Sequence, residues 1–219
     1  MTETLNTTST ARSITMSHAQ LVSITSLGVC ANTKDYAPVI SGIQLVAAPG
    51  TIRAAATNRY VVGTIEFFSD SITAEFDVTI PVAALKQFAA MSKLTGRFNT
   101  DVERITITIS DNYDDDGTIT FSDLNTGSTF TAYGIKGTFP PVARLFPESI
   151  TDDTVELAPY MIGAKLLATL AKIDVINEKD PAWTVQHTTG TGKAAPIMYH
   201  VESGTTNYRF LIQPRMKLR

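Results

Sequence analysis

The 219-residue chain has one cysteine, one tryptophan and three histidines, and only 18% of its residues are charged. A single thiol, Cys30, excludes an intramolecular disulfide and fits a reducing, cytoplasmic setting, in which it is expected to be packed and inert. No apolar run approaches the ~20 residues that span a bilayer, so no membrane association is expected. His18, His187 and His200 lack Cys partners and an i,i+4 helical partner, which argues against metal ligation. Lys and Arg number 18 against 21 Asp and Glu, a net charge of −3, so any nucleic-acid contact needs locally placed charge.

Candidate chemistry is equally sparse. Asn112-Tyr113-Asp114-Asp115-Asp116-Gly117, with Asp123 in twelfth place, nearly reproduces a calcium-loop spacing. It joins two expected strands where a calcium loop joins helices, so an acidic turn is the reading. Thr189-Gly190-Thr191-Gly192-Lys193 lacks the first glycine of a phosphate loop and precedes no helix. Nothing orients a base toward Cys30. No nucleophile, base and orienting group come together, so neither an enzyme nor a cofactor is expected.

What is abundant is threonine, 32 positions, within a chain that is 43% apolar. Such a β-branched excess favours strands. Ser13–Met16 reads as a strand and Leu21, Ile24, Leu27 and Val29 as a helix ending near Ala31; strands follow at Pro38–Ala47, Thr51–Ala56 and Tyr60–Phe67. The order then recurs. Glu75–Ile80 is a strand, Pro81 starts a helix over Val82–Lys93, and Arg104–Ser110, Thr118–Ser122 and Ser128–Ile135 are strands. A third copy has a strand at Thr154–Leu157, a helix at Met161–Ile173, and strands at Trp183–His187, Ile197–Glu202 and Tyr208–Gln213.

The expected fold class is α+β, a repeated βαβββ unit, since one such unit exposes an apolar face that only a neighbour covers. Residues 1–11 form an arm, 12–149 a domain of two units, and 150–219 a third, half-domain unit. Helices two and three align without gaps, so that Lys86 and Lys93 match Lys165 and Lys172, each pair seven residues apart on one helical face.

The motifs resemble a known family. Pro38-Val39-Ile40-Ser41-Gly42-Ile43-Gln44-Leu45, the Ala56-Thr57-Asn58-Arg59-Tyr60 loop, Val78-Thr79-Ile80-Pro81, Gly137-Thr138-Phe139-Pro140 through Pro147, and the terminal Phe210-Leu211-Ile212-Gln213-Pro214-Arg215-Met216-Lys217-Leu218 are similar to segments of the bacterial DNA polymerase III beta subunit, the sliding clamp, with the short length expected of a viral relative. The resemblance implies a DNA-clamp fold acting as a processivity factor in DNA replication, a ring around duplex DNA that tethers a DNA polymerase and clamp loader through short linear motifs. It places Lys86, Lys93, Arg97, Lys165 and Lys172 toward DNA, where they attract phosphates without reading sequence. It also implies an apolar peptide pocket of Ile40, Thr57, Tyr60, Val62, Pro140, Leu145, Leu211, Pro214 and Met216, with Gln213 standing where the family usually has Met. Three units are one and a half of the family's two-unit domains, so a homo-oligomer is expected, third units pairing about a two-fold axis and two such dimers closing a ring. The alternative is a clamp-derived adaptor that binds replisome or transcription proteins without encircling DNA.

Overall fold

The computed structural model describes residues 11–32, 37–94, 102–147, 161–187 and 195–214. Strand β1, Arg12–Ser17, runs directly into helix α1, His18–Ser26. A capping box marks the junction: Gln20 N–H donates to Ser17 Oγ at 3.1 Å and Ser17 N–H donates back to Gln20 Oε1 at 2.8 Å. A 3-10 turn at Leu27–Val29 ends this stretch, and another covers Pro38–Ser41 ahead of β2, Gly42–Ala48. The strand expected from Pro38 therefore starts at Gly42. Pro38 has a fixed φ and no N–H for a ladder, and the Ser41 hydroxyl closes the turn on the Pro38 carbonyl at 2.6 Å.

Strands β3, Thr51–Thr57, β4, Val61–Phe68, and β5, Phe76–Pro81, follow. Pro81 is the last residue of β5, not the first of a helix; α2 spans Val82–Leu94. Next come β6, Glu103–Ile109, a single helical turn α3, Tyr113–Asp116, β7, Thr118–Asp123, and β8, Ser128–Tyr133. The acidic turn is thus helical, ended by Gly117 in the left-handed region at φ 68° that glycine adopts without penalty. After a 3-10 turn at Val142–Leu145 come α4, Ala164–Leu170, and strands β9, Thr184–His187, β10, Ile197–Ser203, and β11, Thr206–Ile212. Helix α4 is shorter than the expected 161–173, with Gly163 at its N-cap. The strand expected at Thr154–Leu157 and the Thr189–Lys193 loop lie outside the described residues.

Duplicated sheet-and-helix motifs build two antiparallel sheets, β1-β6-β7-β8 and β5-β2-β3-β4-β11-β10-β9. The first strand of each motif crosses into the other's sheet: β1 pairs with β6, and β5 pairs with β2. The longer sheet continues through β4 and β11, across the boundary expected near residue 149. Alternation explains the faces. Ile105, Ile107 and Ile109 are fully buried while the intervening threonines are half-buried.

Helices α1 and α2 pack together, α1 also against β1 and β6 and α2 against β5 and β8, and the α1 residue His18 approaches the Ala89 carbonyl at 3.4 Å. Phe88 of α2 closes an aromatic cluster with Phe121 and Phe130, ring centroids 5.2 and 6.4 Å away. The fully buried rings of Phe88 and Phe121 each contribute roughly 1.5–3 kcal/mol. On the other sheet Trp183 meets Phe210 edge to face at 5.2 Å, and Gly63 makes room: a Cβ there would sit 2.4 Å from the Phe210 ring. The ungapped alignment of α2 with residues 161–172 does not extend to burial. Phe88 is fully buried, whereas its aligned Leu167 is 41% exposed.

Candidate functional site

On the outer face of the seven-stranded sheet, strand register sets four side chains in a row across four strands. Thr57 pairs with Val62, Val62 with Leu211, and Leu211 with Met198. All four are buried. Two 3-10 turns cover this row from either side. The Pro38–Ser41 turn contributes Ile40, and the segment after β8 contributes Phe139 and Val142, completing a second apolar cluster separate from the main core. Between the two turns lies a cavity of about 380 Å³ lined by Val39, Ile40, Val62, Pro140, Val142 and Leu145, with Thr57, Arg59 and Thr138 as its polar members. Its size and largely apolar wall suit a pair of aliphatic or aromatic side chains from an extended peptide. Leu145 stands 57% exposed at the mouth, an apolar surface that an occupant would cover.

The turn at the mouth is held tightly. Asn58 Oδ1 accepts from the N–H groups of Tyr60 and Val61, both at 3.0 Å, while the Thr57 hydroxyl donates to the Val61 carbonyl at 2.8 Å. The arrangement puts Arg59 at φ 76°, a left-handed conformation unusual for a side-chain-bearing residue. Arg59 thus occupies the place at which an Ala-Thr-Asp-Gly-like loop has its glycine, and adds a guanidinium at the cavity wall.

Of the residues expected from sequence to form a pocket, Ile40, Thr57, Val62, Pro140 and Leu145 line this cavity. Leu211 lies in the cluster beneath it. Tyr60 does not line it: its side chain is 66% exposed, and its carbonyl accepts from the Gln213 N–H at 3.0 Å. Pro214 is buried next to that bond and is absent from the lining, Gln213 is exposed, and Met216 lies outside the described residues. Val39, Arg59, Thr138, Phe139, Val142 and Met198 escaped the sequence reading. A positive φ cannot be read from an arginine, and Met198 joins the site only through a long-range strand register.

Two to four residues further along the same strands the face turns polar, with Arg53, Thr64, Glu66 and Arg209. Arg53 and Glu66 form an ion pair at 2.8 Å. The apolar patch is therefore bounded. Lys86, Lys165 and Lys172 are exposed, the last just beyond α4; Lys93 falls in α2 with its side chain outside the described residues, as is Arg97 altogether. In the acidic turn, Lys136 Nζ donates to the main-chain carbonyls of Asp114 at 3.0 Å and Asp115 at 2.7 Å, so an ammonium already sits against the turn. Among the described residues no three His, Cys, Asp or Glu side chains converge to hold a metal, and no helix is long and apolar enough to cross a membrane.

No protein-family model matches the sequence, and no curated protein does. Solved structures do. A DNA polymerase sliding clamp from Pseudomonas aeruginosa, crystallised with a ligand, superposes with a TM-score of 0.65 at 13% identity, covering 94% of this chain and 66% of that one. The beta subunit of the Streptococcus pyogenes DNA polymerase gives 0.51 at 17% identity, covering 96% and 51%, and a putative DNA polymerase III beta subunit from Eubacterium rectale gives 0.53 at 14%, covering 92% and 50%. This chain spans about half to two thirds of their lengths. It has the mixed α/β fold, with duplicated sheet-and-helix motifs, of the bacterial DNA polymerase III sliding clamp.

Proposed function

We propose that this protein is a clamp-fold adaptor, a binding protein that captures short linear segments of replisome or transcription proteins. The observation that supports it is the 380 Å³ apolar cavity beside a half-exposed Leu145, on a fold shared with sliding clamps. An extended segment would anchor aliphatic and aromatic side chains over Ile40, Val62 and Val142, with Arg59 and Gln213 offering polar contacts at its ends.

Fluorescence anisotropy with a labelled peptide carrying adjacent leucine and phenylalanine tests the reading. Leu145→Asp, at an exposed position that folding does not depend on, should weaken binding roughly tenfold or more, the equivalent of one buried leucine. Tyr60→Ala, at the neighbouring turn, should weaken it less. Unchanged affinity in Leu145→Asp removes the pocket from consideration.

A second reading is a DNA-encircling processivity factor with a DNA polymerase and clamp loader as partners. The exposed Lys86, Lys165 and Lys172 support it, since cations on helices of this fold attract phosphates without sequence preference. Lys93 and Arg97 belong to the same proposed surface. The similar structures are bacterial proteins and lend no support to a viral source.

A further inference from the structure

The 3-10 turn at Val142–Leu145 separates two depressions on the outer face. Val142 and Leu145 line the apolar cavity on one side. On the other, Ala143 and the following Phe146 wall a second cavity of about 300 Å³, whose sheet side carries Arg53, Glu66, Asn207 and Arg209. Strand register fixes the spacing of the two. Arg209 lies two residues before Leu211 on β11 and Arg53 four before Thr57 on β3, all on one face, so the polar groups stand roughly 7–13 Å from the apolar row. An extended chain covers that distance in two to four residues.

Charge within the second cavity is unbalanced. Arg53 and Glu66 satisfy one another at 2.8 Å, whereas the Arg209 guanidinium has no hydrogen bond or ion pair among the described residues. Asn207, opposite Glu66 in register, adds carboxamide donors. One unpaired guanidinium with neutral donors beside it, in a concave site of side-chain size, matches one carboxylate, which a guanidinium fork takes through two parallel N–H bonds. A duplex needs several cations on an open face and would meet the Glu66 carboxylate here. We propose that the second cavity takes a carboxylate side chain of the captured segment, so that the site selects acidic segments, with Asp or Glu two to four positions from the apolar anchors. This selectivity rests on the peptide-capture reading and defines the chemistry of its ligand. The net charge of −3 repels an acidic peptide, so a preference for one has a local source.

Anisotropy titrations of the full chain with two labelled peptides test this: one carries Leu-Phe with glutamates at the second to fourth positions on both sides, the other has glutamines there. The glutamate peptide should bind roughly tenfold more tightly at low salt. That advantage should shrink at about 1 M salt, where the Debye length is about 3 Å. Arg209→Gln, at a half-buried position, should abolish the advantage and leave the affinity for the glutamine peptide unchanged, while Arg209→Lys should keep part of it. Equal affinities for the two peptides, both weakened by Leu145→Asp, would overturn the carboxylate site and leave the apolar pocket standing. Binding of neither peptide would overturn both. A DNA duplex whose binding is lost in Arg209→Gln would overturn the carboxylate site as well, because the guanidinium would then belong to phosphates.

Discussion

Cys30 is fully buried, and desolvation pushes its thiol from near 9 up to about 12. The folded chain keeps the proton over a range in which the unfolded chain releases it. Stability from this group is therefore complete below pH 9 and declines as pH rises from 9 toward 12. Burial also raises Tyr208, and burial together with Asp114 raises Tyr113, so both phenols extend the loss further into alkali. Urea midpoints measured across this range should fall with pH, and Cys30→Ala should flatten the first part of the slope. A thiol reagent should label Cys30 only when the chain unfolds. The single cysteine is thus a packing residue, as its Gly28-Val29-Cys30-Ala31 setting suggests.

At the scale of elements, a chain of hydrogen bonds adds to the β4–β11 ladder in tying the α4-containing stretch to the rest. Ile176 N–H donates to the Tyr208 hydroxyl at 3.1 Å, that hydroxyl meets Ser23 Oγ at 2.9 Å, and Ser23 donates to the Asp174 carbonyl at 2.7 Å. Asp174 N–H in turn donates to Ser26 Oγ at 3.0 Å. Helix α1, the loop after α4, and β11 are thereby fixed in one geometry. Tyr208→Phe keeps the buried ring and strands the Ile176 N–H, so it should cost about 1–3 kcal/mol in urea denaturation. A loss below half a unit of that scale would mean water replaces the hydroxyl. Register does comparable work at the pocket. A one-residue slip of β11 against β4 would turn Leu211 away from Val62 and open the floor.

For the whole molecule the open question is topological. On the adaptor reading, Lys86→Glu, Lys165→Glu and Lys172→Glu together should leave peptide affinity unchanged, and the protein should show no retention on nicked circular DNA that linearisation abolishes. A ring would behave otherwise. It would stay on the circle, slip from the linear form, and lose the circle on charge reversal, with each phosphate-contacting lysine removing about 0.9 from the logarithmic salt slope.

Local pattern made much of the fold legible. Ile105-Thr106-Ile107-Thr108-Ile109 can bury one face only as a strand, and the recurrence of strand, helix and three strands along the chain points to duplicated motifs. Motif resemblance likewise brought Ile40, Thr57, Val62, Pro140 and Leu145 into one expected site, and they share a cavity. The exchange of β1 and β5, the union of β4 with β11, and the row from Thr57 to Met198 depend on pairings between residues far apart in sequence. Alternation says which side of a strand is apolar but not which strand lies beside it. The 3-10 turn at Pro38, the short α4 and the exposed side chain of Tyr60 have one reason in common: turn geometry and tertiary neighbours, not local apolarity, decide where an element ends and which way its last side chain faces.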